Sequence, residues 1–433
     1  MGLGNLWRFP YITGEYGGGA FVLVYIGFVL LIGIPLIIAE LTIARRGHSS
    51  PVATTAAISR EEQGHTRWRI IGWISILAPL LALSFYSVIG GWSLDYLLQA
   101  AMGNFDGADA ARGEALFASV LDSPVRMIVS FSIMLIAVTQ VVGAGIKHGI
   151  ERTSIFMMPA LFLLMVSLAI YANMIGDASR AWSFLFNPDF SSLTSEGILV
   201  ALGQSLLSLA VGTGALLAYG AYLPKNVSIP HAAWAIGLAD TGAALLAGLL
   251  IFPIVFASGL DSGEGPGLIF VTLPLAFGEM PGGQLFAVLF FLLVFFAAFT
   301  SGLGMMEPFV SWLEEQQGWN RRRAARATGC GVWVLGLGAV FSFNIWKDFT
   351  PLDFIEPLRG RTVFSILDYV VANFMLPPNA LLIALMAGWV INETRMRSDT
   401  GITSEKSWVS WQLSVRFLAP AAITCVALFN VLG

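Results

Sequence analysis

Windows of about 20 consecutive apolar residues, the length that crosses a hydrocarbon core, recur from one end of the chain to the other. Ten of them, centred near Leu31, Ala82, Ile133, Leu163, Leu209, Leu246, Leu292, Val334, Ala380 and Ala421, alternate with polar or Gly/Pro-rich connectors. Each is predicted to be a membrane-spanning helix. A shorter piece from Gly2 to Thr13 is apolar but only about half a crossing long at 1.5 Å per residue, and no charged region of a signal peptide precedes it. No connector has room for a globular domain, so residues 1–433 read as a single transmembrane domain.

Composition agrees. The 433 residues are 56% hydrophobic and 12% charged, against roughly 25% charged in soluble domains, and the mean hydropathy is +0.77. With 23 Lys+Arg against 27 Asp+Glu, the chain lacks the basic excess that phosphate neutralisation demands, which excludes nucleic acid as a main partner. Cys330 and Cys425, each in an apolar run, read as packing residues rather than a disulfide or a CxxC site. Four histidines and no HExxH, GxSxG or Walker A spacing leave little material for an enzyme.

Basic residues gather in alternate connectors: Arg45, Arg46, Arg60, Arg67 and Arg69; Lys147 and Arg152; Arg321, Arg322, Arg323 and Arg326; Arg395 and Arg397. The positive-inside rule makes these cytoplasmic and, with the opening piece running outward, predicts an external carboxyl terminus in an inner (plasma) membrane protein.

Helix-breaking sequence falls at membrane depth twice, about five spans apart, in Gly2-Leu3-Gly4-Asn5 and in Ser208-Leu209-Ala210-Val211-Gly212-Thr213-Gly214. Glycine costs about 1 kcal/mol relative to alanine in a helix interior, so both segments can unwind. Unwound backbone in a membrane must line a cavity or be buried in protein, and matched breaks in two halves mark a secondary transporter's binding site.

The residues around these breaks carry a resemblance. Gly2-Leu3-Gly4-Asn5-Leu6-Trp7-Arg8-Phe9-Pro10-Tyr11, then Glu15-Tyr16-Gly17-Gly18-Gly19-Ala20-Phe21, resembles the first-helix signature of the neurotransmitter:sodium symporter family. Gly149-Ile150-Glu151-Arg152, Pro188-Asp189-Phe190, Gly203-Gln204, Gly265-Pro266-Gly267-Leu268-Ile269-Phe270 and Ala297-Ala298-Phe299-Thr300-Ser301 resemble its later motifs in order. With eleven spans, the chain is most similar to the bacterial branch that carries hydrophobic amino acids. The implied fold is an all-α polytopic membrane protein of the leucine-transporter type, two inverted five-helix repeats (about 1–173 and 197–392) plus one peripheral helix (about 408–432). The cytoplasmic half of the first helix, which family members carry before this motif, is missing, and a start codon further upstream is expected.

The resemblance also implies a site. Sodium needs about five or six hard oxygens. Asn5, Ser208 and Asp240 match the family's first sodium site, shared with the substrate carboxylate; Thr300 and Ser301 hydroxyls with the Ala297 and Met1 carbonyls match the second. Asp240 is expected to supply a fixed negative charge, making transport chloride-independent. The substrate carboxylate should meet the amides near Leu3 and Gly4 with the Tyr86 hydroxyl, and its ammonium the carbonyls around Ala210 and Ser301. Ala82, Leu207, Ala210, Thr213 and Met305 would line a roomy apolar side-chain pocket. Arg8 and Asp368, with Gln204 beside them, resemble the extracellular gate; Tyr222 and Glu315 resemble partners in an inner gate whose arginine falls in the missing segment. Glu40 and Glu307, also intramembrane, stay outside this core site. The expected function is sodium-coupled uptake of a hydrophobic amino acid by alternating access, with a transport-deficient receptor-like protein or a channel as the alternatives and a homodimer left open.

Overall fold

In the computed structural model, residues 2–107, 110–259 and 267–432 are described; Met1, Gly265 and Pro266 therefore lie outside the described residues. The chain runs through α1 (residues 4–15), α2 (Gly19–Gly47), α3 (Arg69–Ala101), α4 (Pro124–Gly143), α5 (Ile146–Ile175), the broken α6 (Ser195–Ser208 and Ala215–Gly220), α7 (Ile229–Ala257), α8 (Gly283–Gln317), α9 (Arg321–Phe341), α10 (Val363–Val390) and α11 (Glu405–Phe429). Nine of these, all but α1 and α6, are long and apolar enough to cross a membrane as continuous helices. No strand occurs among the described residues, as expected where each segment must satisfy its own backbone.

The bundle is built around α3 and α8, 33 and 35 residues long and so each about 50 Å from end to end, enough to cross at a tilt. Small residues set how closely neighbours approach. A Cβ on Gly91 of α3 would come within 2.7 Å of the Phe131 amide in α4, and one on Gly302 of α8 within 3.0 Å of Val138. Leu31, Ile133, Leu163 and Val334, at the centres of four apolar windows, are exposed on the bundle surface, where lipid would meet them. Cys330 and Cys425 are exposed too, which corrects their reading as packing residues. An apolar run does not distinguish a protein-facing from a lipid-facing position, because lipid is as apolar as leucine.

Two constructions outside the spans hold the centre in place. On one side, the helix Pro51–Gln63 and the helix Glu393–Thr400 are tied by a charged belt. Arg46 bridges Glu61 at 2.8 Å and Glu62 at 2.7 Å, Arg395 bridges Glu61 at 2.9 Å, and the Arg45 guanidinium donates to the Asp399 carbonyl at 2.8 Å. On the other side, the short apolar helix Leu268–Glu279 carries Phe270 into an aromatic cluster: its ring lies 5.9 Å from Trp7, 5.7 Å from Trp92 and 5.6 Å from Phe117. The Tyr96 hydroxyl donates to the Phe270 carbonyl at 2.8 Å, which fixes this roof over the start of α1.

Candidate functional site

Of the two expected breaks, the structure shows the one in α6; α1 is helical from Leu3 onward. At the start of α1 the Gly2 carbonyl accepts from the amides of Asn5 (3.1 Å) and Leu6 (3.4 Å), and the space a Gly2 side chain would need is taken by Ser301 and Tyr86. In α6 the backbone leaves the helix after Ser208 and turns through left-handed φ at Ala210 (54°), Gly212 (78°) and Gly214 (81°). A Cβ on Gly212 would meet the Leu376 carbonyl at 2.8 Å and the Ala380 amide at 3.0 Å, so this position is glycine for lack of space as well as for backbone angle.

Between the start of α1 and the α6 break sits a buried polar cluster. Asn5, Ser208 and Asp240 are 3%, 9% and 3% exposed. The Asn5 amide nitrogen donates to the Asp240 carboxylate at 2.9 Å and to its backbone carbonyl at 2.8 Å. The Ser208 hydroxyl donates to the other Asp240 carboxylate oxygen and lies 3.4 Å from the Asn5 side-chain oxygen, while the Tyr25 hydroxyl is 3.2 Å from Ser208 Oγ. Three elements thus bring hard oxygens of an amide, a hydroxyl and a carboxylate together. That donor set suits an alkali cation, and the carboxylate supplies the charge that makes burial of the ion favourable.

Two of the expected substrate residues, Tyr86 and Ser301, meet the start of α1, and Leu207, Ala210 and Thr213 belong to or flank the α6 break. The Leu3 amide donates to the Tyr86 hydroxyl at 3.0 Å, leaving that hydroxyl's own proton to donate elsewhere. Ala82 and Tyr86 stand one turn apart on α3, as do Ser301 and Met305 on α8, so each pair shares a face. The Thr213 hydroxyl bonds back to the Ala210 carbonyl at 2.7 Å. Tyr86, Leu207, Ala210, Thr213, Ser301 and Met305 are half-buried while most of their chain neighbours are fully buried.

Of the residues expected at a second ion site, Ala297, Thr300 and Ser301 lie within one turn of α8, where both hydroxyls bond back to their own helix. The Ala297 carbonyl accepts from Ser301 at 2.9 Å and from Thr300 at 3.3 Å; Met1 lies outside the described residues. The gates are less joined. Asp368 is within electrostatic reach of Arg8 and Arg361, yet no ion pair links it to either among the described residues. Gln204 is fully buried and its side chain donates to the Gly4 carbonyl at 3.0 Å, so it braces the start of α1. On the inner side Glu315 accepts from the Ser49 hydroxyl at 2.7 Å and the Ser50 amide at 2.5 Å. Burial, then the nearby Glu307 and Glu315 carboxylates, push the Tyr222 hydroxyl up to about 12.

The sequence matches the profile of the Sodium:neurotransmitter symporter family over residues 1–109 and 117–433. The chain belongs to this family. YhdH, an uncharacterized sodium-dependent transporter of Bacillus subtilis (strain 168), is 36% identical over 436 residues, spanning 100% of this chain and 94% of the relative. The sodium- and chloride-dependent GABA transporter 2 of Homo sapiens is 24% identical over 484 residues, 100% of this chain and 77% of its own length. Among solved structures, that of MhsT in complex with L-phenylalanine superimposes with a TM-score of 0.89 at 36% identity, covering 99% of this chain and 95% of that one. The chain therefore has the leucine-transporter fold and is a multi-pass, sodium-dependent transporter of the symporter family; its relatives are transporters, not enzymes.

Within the family fold, three residues at the breaks escaped the sequence reading or were set aside by it. Tyr25 gives no signal, since an aromatic in an apolar run does not declare which way it points. Glu40 is a visible intramembrane carboxylate, but its partner, the Gly212 amide at 2.6 Å, is 172 positions away. Asn379 directly follows Pro377-Pro378 and donates to the Gly212 carbonyl at 2.6 Å and to Ser75 Oγ at 2.9 Å. Glu40 and Asn379 thus satisfy both backbone groups of the glycine at the centre of the α6 break.

Proposed function

We propose that this chain is a sodium-coupled symporter that takes up hydrophobic amino acids by alternating access and needs no chloride. The observation that carries the reading is the junction of Asn5, Ser208 and Asp240 beside the start of α1 and the unwound segment of α6, with the Tyr86 hydroxyl on the Leu3 amide next to it. Sodium would sit on Asn5, Ser208 and Asp240, the substrate carboxylate would complete its shell, and the amides near Leu3 and Gly4 with Tyr86 would hold that carboxylate. The substrate ammonium would meet the carbonyls about Ala210 and Ser301. No charged side chain belongs to the set Ala82, Leu207, Ala210, Thr213 and Met305, which favours an apolar substrate; MhsT, at 36% identity, has been solved with L-phenylalanine.

Chloride independence rests on Asp240. The Ser208 and Asn5 donors that could serve an anion already face a carboxylate, so the fixed negative charge is part of the protein. Alternating access would rock the broken helices against the remaining spans, with repeats at about 1–173 and 197–392, a peripheral helix at about 408–432, and an external carboxyl terminus in the inner membrane. A second ion would use Ala297, Thr300, Ser301 and Met1.

The test is uptake of labelled apolar amino acids into proteoliposomes under a sodium gradient, with potassium as control and gluconate in place of chloride. Saturable, sodium-requiring uptake that survives gluconate is the expected result. Sodium-dependent binding with no uptake would make the chain a receptor, and unsaturable flux would make it a channel.

A further inference from the structure

The run of arginines that opens α9 divides into two pairs. Arg321 is committed: it bridges Glu307, bridges Glu314 at 3.0 Å and donates to the Val142 carbonyl at 3.0 Å. Arg323 stacks over the Trp319 ring at 4.6 Å. Arg322 and Arg326 are exposed and have no side-chain hydrogen bond, ion pair or ring contact among the described residues. They are four residues apart, so they stand one above the other on one face of the helix.

That face borders a groove of about 1050 Å³ between α4 and α9, larger than the roughly 300–1,000 Å³ of small-molecule pockets. Its floor is shallow because the helices touch there: a Cβ on Gly329 would fall 2.5 Å from Thr139 Oγ1, and one on Gly143 3.4 Å from the Ala325 side chain. Its far wall is apolar, formed by Leu135, Ile136, Trp333 and Val334, and the Trp333 indole is held by a 2.9 Å hydrogen bond to Ser132. Arg322 and Val334 are about 18 Å apart along the helix. The groove therefore offers two guanidiniums at the end nearest the α8–α9 connector and an acyl-chain-length apolar slot running into the bilayer, with no carboxylate among its lining residues. A second groove of about 610 Å³ on another face of α9, lined by residues such as Leu80, Phe309 and Trp319, contains no charged residue at all.

We propose that the α4–α9 groove binds an anionic phospholipid of the leaflet on the Arg322 side, cytoplasmic by the charge of the connectors. Arg322 and Arg326 hold its phosphodiester, and one acyl chain lies along Ile136, Trp333 and Val334. Guanidinium matches a phosphate in both charge and bidentate geometry, and basic pockets between spanning helices on this side of a membrane suit acidic headgroups. The second groove, without a cation, takes lipid chains with no preference for headgroup.

The test uses the full chain, delipidated in detergent, titrated with dioleoyl-phosphatidylglycerol or with dioleoyl-phosphatidylcholine and read by native mass spectrometry. Phosphatidylglycerol should be retained at concentrations about tenfold lower or more. The double substitution Arg322→Gln, Arg326→Gln should erase that preference, with an unchanged melting curve showing that the fold is intact. Cys330→Trp, which keeps both arginines and fills the groove, should weaken both lipids. Brominated acyl chains on phosphatidylglycerol should quench wild-type fluorescence more than that of Trp333→Phe. Equal retention of the two lipids, an unaltered preference in the double variant, or equal competition by inorganic phosphate would overturn the proposal. So would a lipid-independent dimer that protects Cys330 from maleimide, because a second copy of the chain would then occupy the groove.

Discussion

Asn5 and Ser208 both donate to the one carboxylate of Asp240, and Tyr25 leans on Ser208 from behind. A charge at this depth needs a partner, and hydrogen bonds to charged groups are worth about 1.5–3 kcal/mol. Replacing Asp240 by Asn should therefore weaken sodium binding about ten- to a hundredfold and make the residual activity respond to chloride; a sodium titration of substrate binding, with and without chloride, measures both. An unchanged sodium midpoint would remove Asp240 from the ion site. Asn5, Ser208 and Asp240 stood out in the sequence as polar groups in apolar runs, and their reading as one ion site came from the family resemblance. Tyr25 did not stand out, and neither did the left-handed conformation of Ala210: only glycine announces positive φ, and a non-glycine there costs roughly 1–2 kcal/mol that sequence does not display.

At the scale of elements, the α6 break was foreseen and the way it is held was not. Window hydropathy gave ten spans; the one centred on Leu209 is the one the structure splits, where Gly212 and Gly214 lie. Gly212 is pinned by Glu40 on its amide and Asn379 on its carbonyl. Glu40→Leu strands that amide and should cost about 1–3 kcal/mol together with transport, whereas Glu40→Gln keeps an acceptor and should retain most stability. Melting temperature and uptake of the two variants separate hydrogen bonding from charge. Gly212→Ala should abolish uptake, since its Cβ would meet the Leu376 carbonyl. Gly318→Ala is the matched control, with φ of 65° but open space around it, and should cost only the roughly 1–2 kcal/mol of the left-handed backbone with uptake intact. A break that tolerated Gly212→Ala would not need its tight seat against α10.

Across the whole molecule, the two sides differ in how firmly they are joined. The belt of Arg46, Glu61, Glu62 and Arg395 couples connectors from both halves of the chain, while Arg8 and Asp368 on the other side are near each other but unbridged. Burial opposes ionisation of Glu62, but hydrogen bonds from Arg46, the Asn392 amide and Arg395 outweigh it and hold the carboxyl below its ordinary 4.5. A group depressed in the folded state contributes stability above its unfolded pKa and loses it as pH falls through the folded value. The melting temperature should thus drop as pH falls below the ordinary 4.5, and drop less in Glu62→Gln. The spans were readable from sequence as apolar windows; the arm of the belt from Arg395 to Glu61 and Glu62 was not, because those partners lie more than 300 positions apart.

The central claim is that sodium and a hydrophobic amino acid share one site, and reciprocal binding tests it most directly. The affinity of the detergent-solubilised chain for labelled L-phenylalanine would be measured across sodium concentrations, and its sodium affinity with and without phenylalanine. Any two coupled ligands change each other's affinity by the same factor, so a factor well above one that is lost when Asn5 or Asp240 is replaced places the coupling at this site. The account predicts one common factor, greatly reduced in Asn5→Ala and Asp240→Asn, with potassium ineffective. Phenylalanine binding of equal strength in sodium and in potassium would contradict it.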